Sequence, residues 1–139
     1  MKVETVYEIS FQTNGDSRGY LTAIEQNIDI PFEIKRIFYM HHVTHDRGGH
    51  AHIDTDQVII PIAGSFKVKV FDGVNEDVYV LNDCTKGIYT PRLTFCELFD
   101  FTEDAVCLVL ANTHYDIKMS LRTKDDYLSY LKKQNKYKV

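Results

Sequence analysis

The chain has 139 residues, 44% of them apolar and 26% charged, with a formal net charge of −4. A chain of this length buries roughly 70% of its unfolded surface, enough for one domain with its own core, and the composition excludes a disordered chain. The acidic balance argues against a general nucleic-acid partner, and no apolar run of about 18 residues predicts a membrane span.

Met1 to Gln12 shows no secretory leader, and the widely spaced cysteines Cys84, Cys96 and Cys107 suit a reducing cytoplasm better than a disulfide framework. Turn signals recur at short intervals: Asn14-Gly15-Asp16, Asp46-Arg47-Gly48-Gly49, Ala63-Gly64-Ser65, Asp72-Gly73, Asn82-Asp83 and Lys86-Gly87. Between them Ile34–His42, Gln57–Ile62, Ser65–Phe71, Asp77–Leu81 and Ala105–Ala111 read as strands. Ser65 to Val70 alternates polar and apolar residues, which predicts one wet face and one buried face. Val106–Leu110 is nearly all apolar and is expected to be covered on both sides. Short strands with tight turns imply an all-β sandwich or barrel.

The tail changes character. Thr123 can cap a helix whose first turn holds Asp125 and Asp126, and Tyr127, Leu128, Tyr130 and Leu131 follow at helical spacing. The basic end, Lys132 to Lys138, suits the last turn. The expectation is a single domain over 1–139, with a β body to about 116 and a helical segment over 117–139.

Five of six histidines fall between positions 41 and 52. In a strand, His50 and His52 project to one face, where two imidazoles can bind a metal or share acid–base work. Four residues separate His52 from Gln57, and six more separate Gln57 from Gly64. That spacing resembles the first motif of cupin barrels, with Gln57 in place of glutamate. Pro91 to Cys96 resembles the second motif, with Leu93 in place of glycine and Cys96 in place of histidine. An amide is a poor ligand for iron, manganese or zinc, whereas Cys96 ligates only if deprotonated.

The chain as a whole resembles the sugar 3,4-ketoisomerases of the cupin superfamily, the group with the WxcM-like C-terminal domain. The resemblance runs from Asp16 to about Leu131. It rests on Asp16-Ser17-Arg18-Gly19 with Leu21–Glu25, Ile30–Tyr39, Arg47–His52 with Gln57, Gly87-Ile88-Tyr89, Glu97, Asp100-Phe101, and Leu108–Ala111 followed by Tyr115-Asp116. It implies a cupin-like double-stranded β-helix, a jelly-roll barrel, with a short C-terminal helix. It implies an isomerase that moves the keto group of dTDP-4-keto-6-deoxyglucose from C4 to C3, as a homodimer, without metal or cofactor, upstream of a PLP-dependent aminotransferase. His50 and His52 then hold the acid–base positions and Tyr39 assists. Arg18, Arg36 and Arg47 are candidates for the diphosphate, with Gln57, Cys96 and Glu97 as further substrate contacts. His41, His42 and His45 read as bystanders at a strand end. Three alternatives remain open: a nucleotide-sugar epimerase, a metal-dependent cupin oxygenase and a non-catalytic nucleotide-sugar-binding barrel. The departures are Gly49 where the family usually has an aromatic residue, and Phe95-Cys96 where it has Trp-His.

Overall fold

Between Phe66 and Phe71 every second side chain is buried and each lysine is half-exposed. That period of two is what a strand with one solvated face requires. The computed structural model describes residues 2–136. In chain order the strands are β1 (Tyr7–Ser10), β2 (Gln12–Asp16), β3 (Gly19–Ala23), β4 (Arg36–Met40), β5 (Arg47–His52), β6 (Gln57–Ala63), β7 (Phe66–Phe71), β8 (Glu76–Leu81), β9 (Lys86–Thr90), β10 (Phe95–Phe99), β11 (Val106–Ala111) and β12 (Ser120–Leu121). A 3₁₀ turn, Ile117–Met119, precedes β12, and helix α1 (Lys124–Lys136) follows it.

Ten strands form two antiparallel five-stranded sheets, ordered β1-β9-β6-β11-β4 and β12-β5-β10-β7-β8, while β2 and β3 pair only with each other. This is a jelly-roll barrel of the cupin-like double-stranded β-helix type, with one C-terminal helix. Ile59, Ile88 and Val109 of the first sheet meet Phe66, Val68, Val70 and Leu98 of the second in the main core. The other face of the first sheet, at Val58, Ile60 and Leu110, is covered by Phe11, Ile30 and Phe32. That double burial explains why β6 and β11 are almost continuously apolar. Pro61 is tolerated in β6 because it lies beyond the pairing with β9 and beside a register shift in the pairing with β11.

Several expectations shift by a few residues. Asn14, Gly15 and Asp16 lie within β2, not in a turn, and the turn moves to Ser17-Arg18. Gly15 faces Tyr20, whose ring occupies the space a Cβ would need, 2.2 Å away. Arg47, Gly48 and Gly49 likewise open β5 instead of forming a loop. Gly48 and Gly49 carry φ of +83° and +73°, and a Cβ on Gly48 would meet the Cys96 carbonyl oxygen at 2.8 Å. The pairing of β5 with β10 shifts register at this point, so the glycines act as a kink in the strand. The tail is not one helical segment from 117: after the 3₁₀ turn, Ser120 and Leu121 add a strand to the second sheet, opposite His52 and Ala51. Thr123 does cap α1, its hydroxyl accepting from the Asp126 N–H at 3.0 Å. Residues 137–139 of the expected basic turn lie outside the described residues.

Leu93 keeps the backbone of the glycine it replaces, with φ of +63°. Its N–H donates to the His52 carbonyl at 2.7 Å, and its carbonyl accepts from the Tyr127 hydroxyl at 2.7 Å. The Tyr127 hydroxyl also lies 3.1 Å from the Phe71 carbonyl. Fully buried Tyr127 thereby ties α1 to the loop before β10 and, with Phe95, covers Ala51. Ala51 has no exposed surface in this cluster. Ala51→Leu is expected to lower unfolding free energy by about 1–3 kcal/mol in a urea titration, the usual cost of overpacking.

Candidate active site

β5 brings His50 and His52 to the same inner face, as the i, i+2 relation requires. Their ring centroids are 4.8 Å apart and their planes nearly perpendicular, at 88°. They open on a cavity of about 220 Å³ that is also lined by Phe38, Arg47, Gln57, Thr90, Thr94 and Cys96. A second, more open groove shares His50, His52 and Arg47, and adds Arg36, Tyr115, Ser120 and Arg122. The inner cavity alone is smaller than the roughly 300–1,000 Å³ of typical ligand sites, so a sizeable ligand must extend into the groove.

Charge is arranged along that axis. Arg36, Arg47 and Arg122 stand around the groove, and among the described residues no carboxylate lines either space. The Arg36 guanidinium sits over the rings of Phe38 and Tyr115, 5.3 Å from each centroid. Its Nε is buried without a hydrogen-bond partner, a donor waiting for an acceptor. Burial, then repulsion from His50 and Arg36, depresses the His52 pKa to about 4. Burial lowers His50 too, opposed by a hydrogen bond to the Gly48 backbone. Both rings are therefore neutral at pH 7, each with one N–H and one lone pair. Burial pushes the Cys96 thiol up to about 12. It is a protonated thiol at neutral pH, neither a nucleophile nor a ready metal ligand. Among the described residues, no three His, Cys, Asp or Glu side chains converge as metal ligands.

The residues expected from the sequence divide into two groups. His50, His52, Arg36, Arg47, Gln57 and Cys96 line the cavity or its groove. Glu97 does not: it lies on the outer surface of β10, 3.9 Å from Lys69, because alternation turns it away from Cys96. Arg18 does not: it projects from the β2–β3 hairpin, paired with Asp16. Tyr39 reaches only the rim. On β4 the inward positions are Arg36, Phe38 and Met40, while Tyr39 is 63% exposed and its ring lies beside His41. His41 and His42 pair with each other through Nδ1 atoms 2.7 Å apart, outside the lining of either space. Sequence reasoning missed Ser120 and Arg122. The i, i+2 spacing of Ser120 and Arg122 was the available signal, hidden by the expectation of helix there.

The histidine shifts have a consequence for stability. Unfolding returns His52 from a pKa of about 4 to an ordinary value near 6.5, so the unfolded chain binds more protons between these limits. The His52 contribution is complete above pH 6.5 and lost as pH falls to 4. Urea midpoints should decline across that window, and His52→Asn should decline less steeply.

The sequence family described as FdtA (WxcM-like, C-terminal) matches residues 4–132. TDP-4-oxo-6-deoxy-alpha-D-glucose-3,4-oxoisomerase of Aneurinibacillus thermoaerophilus is 37% identical over 129 residues, which are 91% of this chain and 93% of that protein. The 3,4-ketoisomerase QdtA of Thermoanaerobacterium thermosaccharolyticum, crystallised with TDP, superposes with a TM-score of 0.91 at 40% identity, over 96% of this chain and 98% of that one. The TDP-quinovose 3,4-ketoisomerase WlaRB of Campylobacter jejuni gives a TM-score of 0.87 at 33% identity, over 91% of this chain and 99% of that one.

Proposed function

The chain belongs to the FdtA (WxcM-like, C-terminal) family and is a sugar 3,4-ketoisomerase, and we propose that its substrate is dTDP-4-keto-6-deoxyglucose. One observation carries the reading: two neutral imidazoles face each other in a cavity where, among the described residues, the charged side chains of the lining are guanidiniums. A 4-keto-6-deoxy sugar fits the inner cavity. Its diphosphate falls in the groove, where Arg36, Arg47 and Arg122 supply planar donors for phosphate oxygens. The unpartnered Arg36 Nε gains an acceptor in that pose.

The reaction needs a base at C3 and an acid at C4. One imidazole lone pair removes the C3 proton, acidified by the neighbouring carbonyl. The C–H electrons form a C3–C4 double bond and O4 takes the negative charge, then a proton, to give the enediol. The O3 proton is then lost as C4 is protonated, and the carbonyl stands at C3 with no net gain or loss of atoms. The imidazole pair can take and return both protons. Tyr39 lines the cavity only from its exposed rim, so the donors for O4 that lie further in are the Gln57 amide and the Thr90 and Thr94 hydroxyls, with the arginines beside them. A 3-ketone is the kind of product that a PLP-dependent aminotransferase consumes.

In D₂O, proton NMR should show a 3-keto sugar with deuterium at C4. Exchange with the carbonyl still at C4 would favour the epimerase reading, and binding without exchange the non-catalytic one. His52→Asn should lower turnover by about 10²–10⁴-fold while keeping TDP binding, and Tyr39→Phe should remain within about twofold of the parent.

The hairpin supports a homodimer. It pairs with neither sheet, and Tyr20 and Leu21 are 86% and 65% exposed. Ile37 and Tyr39 are also exposed, on β4 at the free edge of the first sheet. A second copy covers these surfaces, and Arg18 then reaches a site only in the opposite subunit. Sedimentation should give a dimer for the parent chain and a monomer for Leu21→Asp.

A further inference from the structure

On the flank of β5 that pairs with β10, the ladder ends at His50, opposite Cys96. His52 lies two residues beyond that end, and its carbonyl is held by the Leu93 N–H at 2.7 Å. Leu93 belongs to the loop between β9 and β10, whose Pro91 and Thr94 line the cavity together with the two imidazoles. The bond therefore fixes the end of β5, and the ring it carries, against the loop that forms the neighbouring wall.

Leu93 makes this bond from a left-handed conformation, φ +63°, which a glycine adopts freely and a leucine only at a cost. If released, the residue would return to a commoner conformation and turn its peptide away from His52. Two hydrogen bonds oppose that turn. On one side the Arg92 N–H donates to the Asp56 carboxylate at 2.7 Å. On the other, the Leu93 carbonyl accepts from the Tyr127 hydroxyl at 2.7 Å. The Phe71 carbonyl lies farther from that hydroxyl, at 3.1 Å, and a single hydroxyl proton serves the nearer acceptor. Tyr127 has no exposed surface, so its hydroxyl does not exchange this partner for water. Its ring packs on Phe95 and Phe71, with centroids 5.4 and 6.0 Å away, so the ring docks the helix and the hydroxyl has a separate task.

We propose that Tyr127 is a positioning residue for the active site: its hydroxyl holds Leu93 in the left-handed conformation that a glycine would keep unaided, and so keeps the Leu93 N–H on the His52 carbonyl and the imidazole pair in place. The effect on turnover rests on the ketoisomerase reading, whereas the chain of hydrogen bonds does not. A residue of the C-terminal helix thus stands in for the glycine that the second motif lacks.

A double-mutant cycle at positions 93 and 127 separates this role from simple packing of the helix. Tyr127→Phe keeps the ring and should lower kcat about tenfold, the scale set by the cost of a left-handed leucine. It should leave the dissociation constant for TDP within about twofold, because Arg36 and Arg122 of the groove lie on other segments. Leu93→Gly should stay near the parent, and Leu93→Gly combined with Tyr127→Phe should regain the lost kcat, because glycine needs no hydroxyl to hold it. Histidine ring signals in NMR should shift for His52 in Tyr127→Phe and return in the double variant. Leu93→Val keeps the hydroxyl but resists the left-handed region, and should lower kcat as Tyr127→Phe does, which keeps the question decidable if Tyr127→Phe folds poorly. Parent kcat in Tyr127→Phe or in Leu93→Val, or a double variant as slow as Tyr127→Phe alone, would overturn the proposal. NMR shifts that follow the cycle in a parent chain that does not isomerise the keto sugar would overturn the ketoisomerase reading and the effect on turnover, leaving the hydrogen-bonded chain standing.

Discussion

β5 is covered at Ala51 on one face and opens on a cavity with the other, and the arrangement of the site follows from that. Its inner face must present two imidazoles to a cavity, while its outer face lies beneath a helix. Ala51 is fully buried with Tyr127 and Phe95 on that outer face, so a small side chain stands where the helix packs on the strand. The two glycines that open β5 absorb the kink needed to bring Arg47 and His50 to the same space. Without the helix, β5 and the short strand β12 would form a solvated edge of the second sheet, and the histidines would lose the burial that keeps them neutral.

Neutrality is the property the site needs. Burial does most to keep the His52 ring neutral, and repulsion from His50, Arg36 and Arg122 adds to the effect. The empty enzyme thus holds His52 as a free base at neutral pH. In the proposed reaction a diphosphate bound there would cancel much of the guanidinium charge and allow the ring to accept a proton. The guanidiniums of the groove and the imidazole of His52 are in this way coupled through the same field.

The same economy of contacts explains which substitutions the fold accepts. The second cupin motif has lost its glycine, yet Leu93 retains the left-handed backbone because the peptide on either side is hydrogen-bonded, to His52 and to Tyr127. A position that costs roughly 1 kcal/mol in backbone strain is over-determined by its neighbours. Cys96 at the position of the motif histidine puts a half-buried, protonated thiol in the cavity wall in place of a basic group.

Much of the barrel was legible in the chain. Period-two alternation at Ser65–Val70, the apolar run at Val106–Leu110, and the capping pattern at Thr123 each report a local rule, and local rules survive folding. The pairing of His50 with His52 is equally local, a matter of two residues on one strand. What the order of residues could not decide was phase and partnership. A strand assigned over Ile34–His42 does not say whether Phe38 or Tyr39 faces inward; only packing against β11 and the core turned Tyr39 out. The same holds for Glu97, one residue from a cavity wall and on its wrong side. Ser120 and Leu121 have no strand signal of their own and become β12 because β5 offers an unpaired edge. Residue types and short spacings thus settled the chemistry available to this protein, because they act within a few bonds. Which of those groups meet in one cavity was left to long-range pairing and burial, which no short stretch of sequence contains.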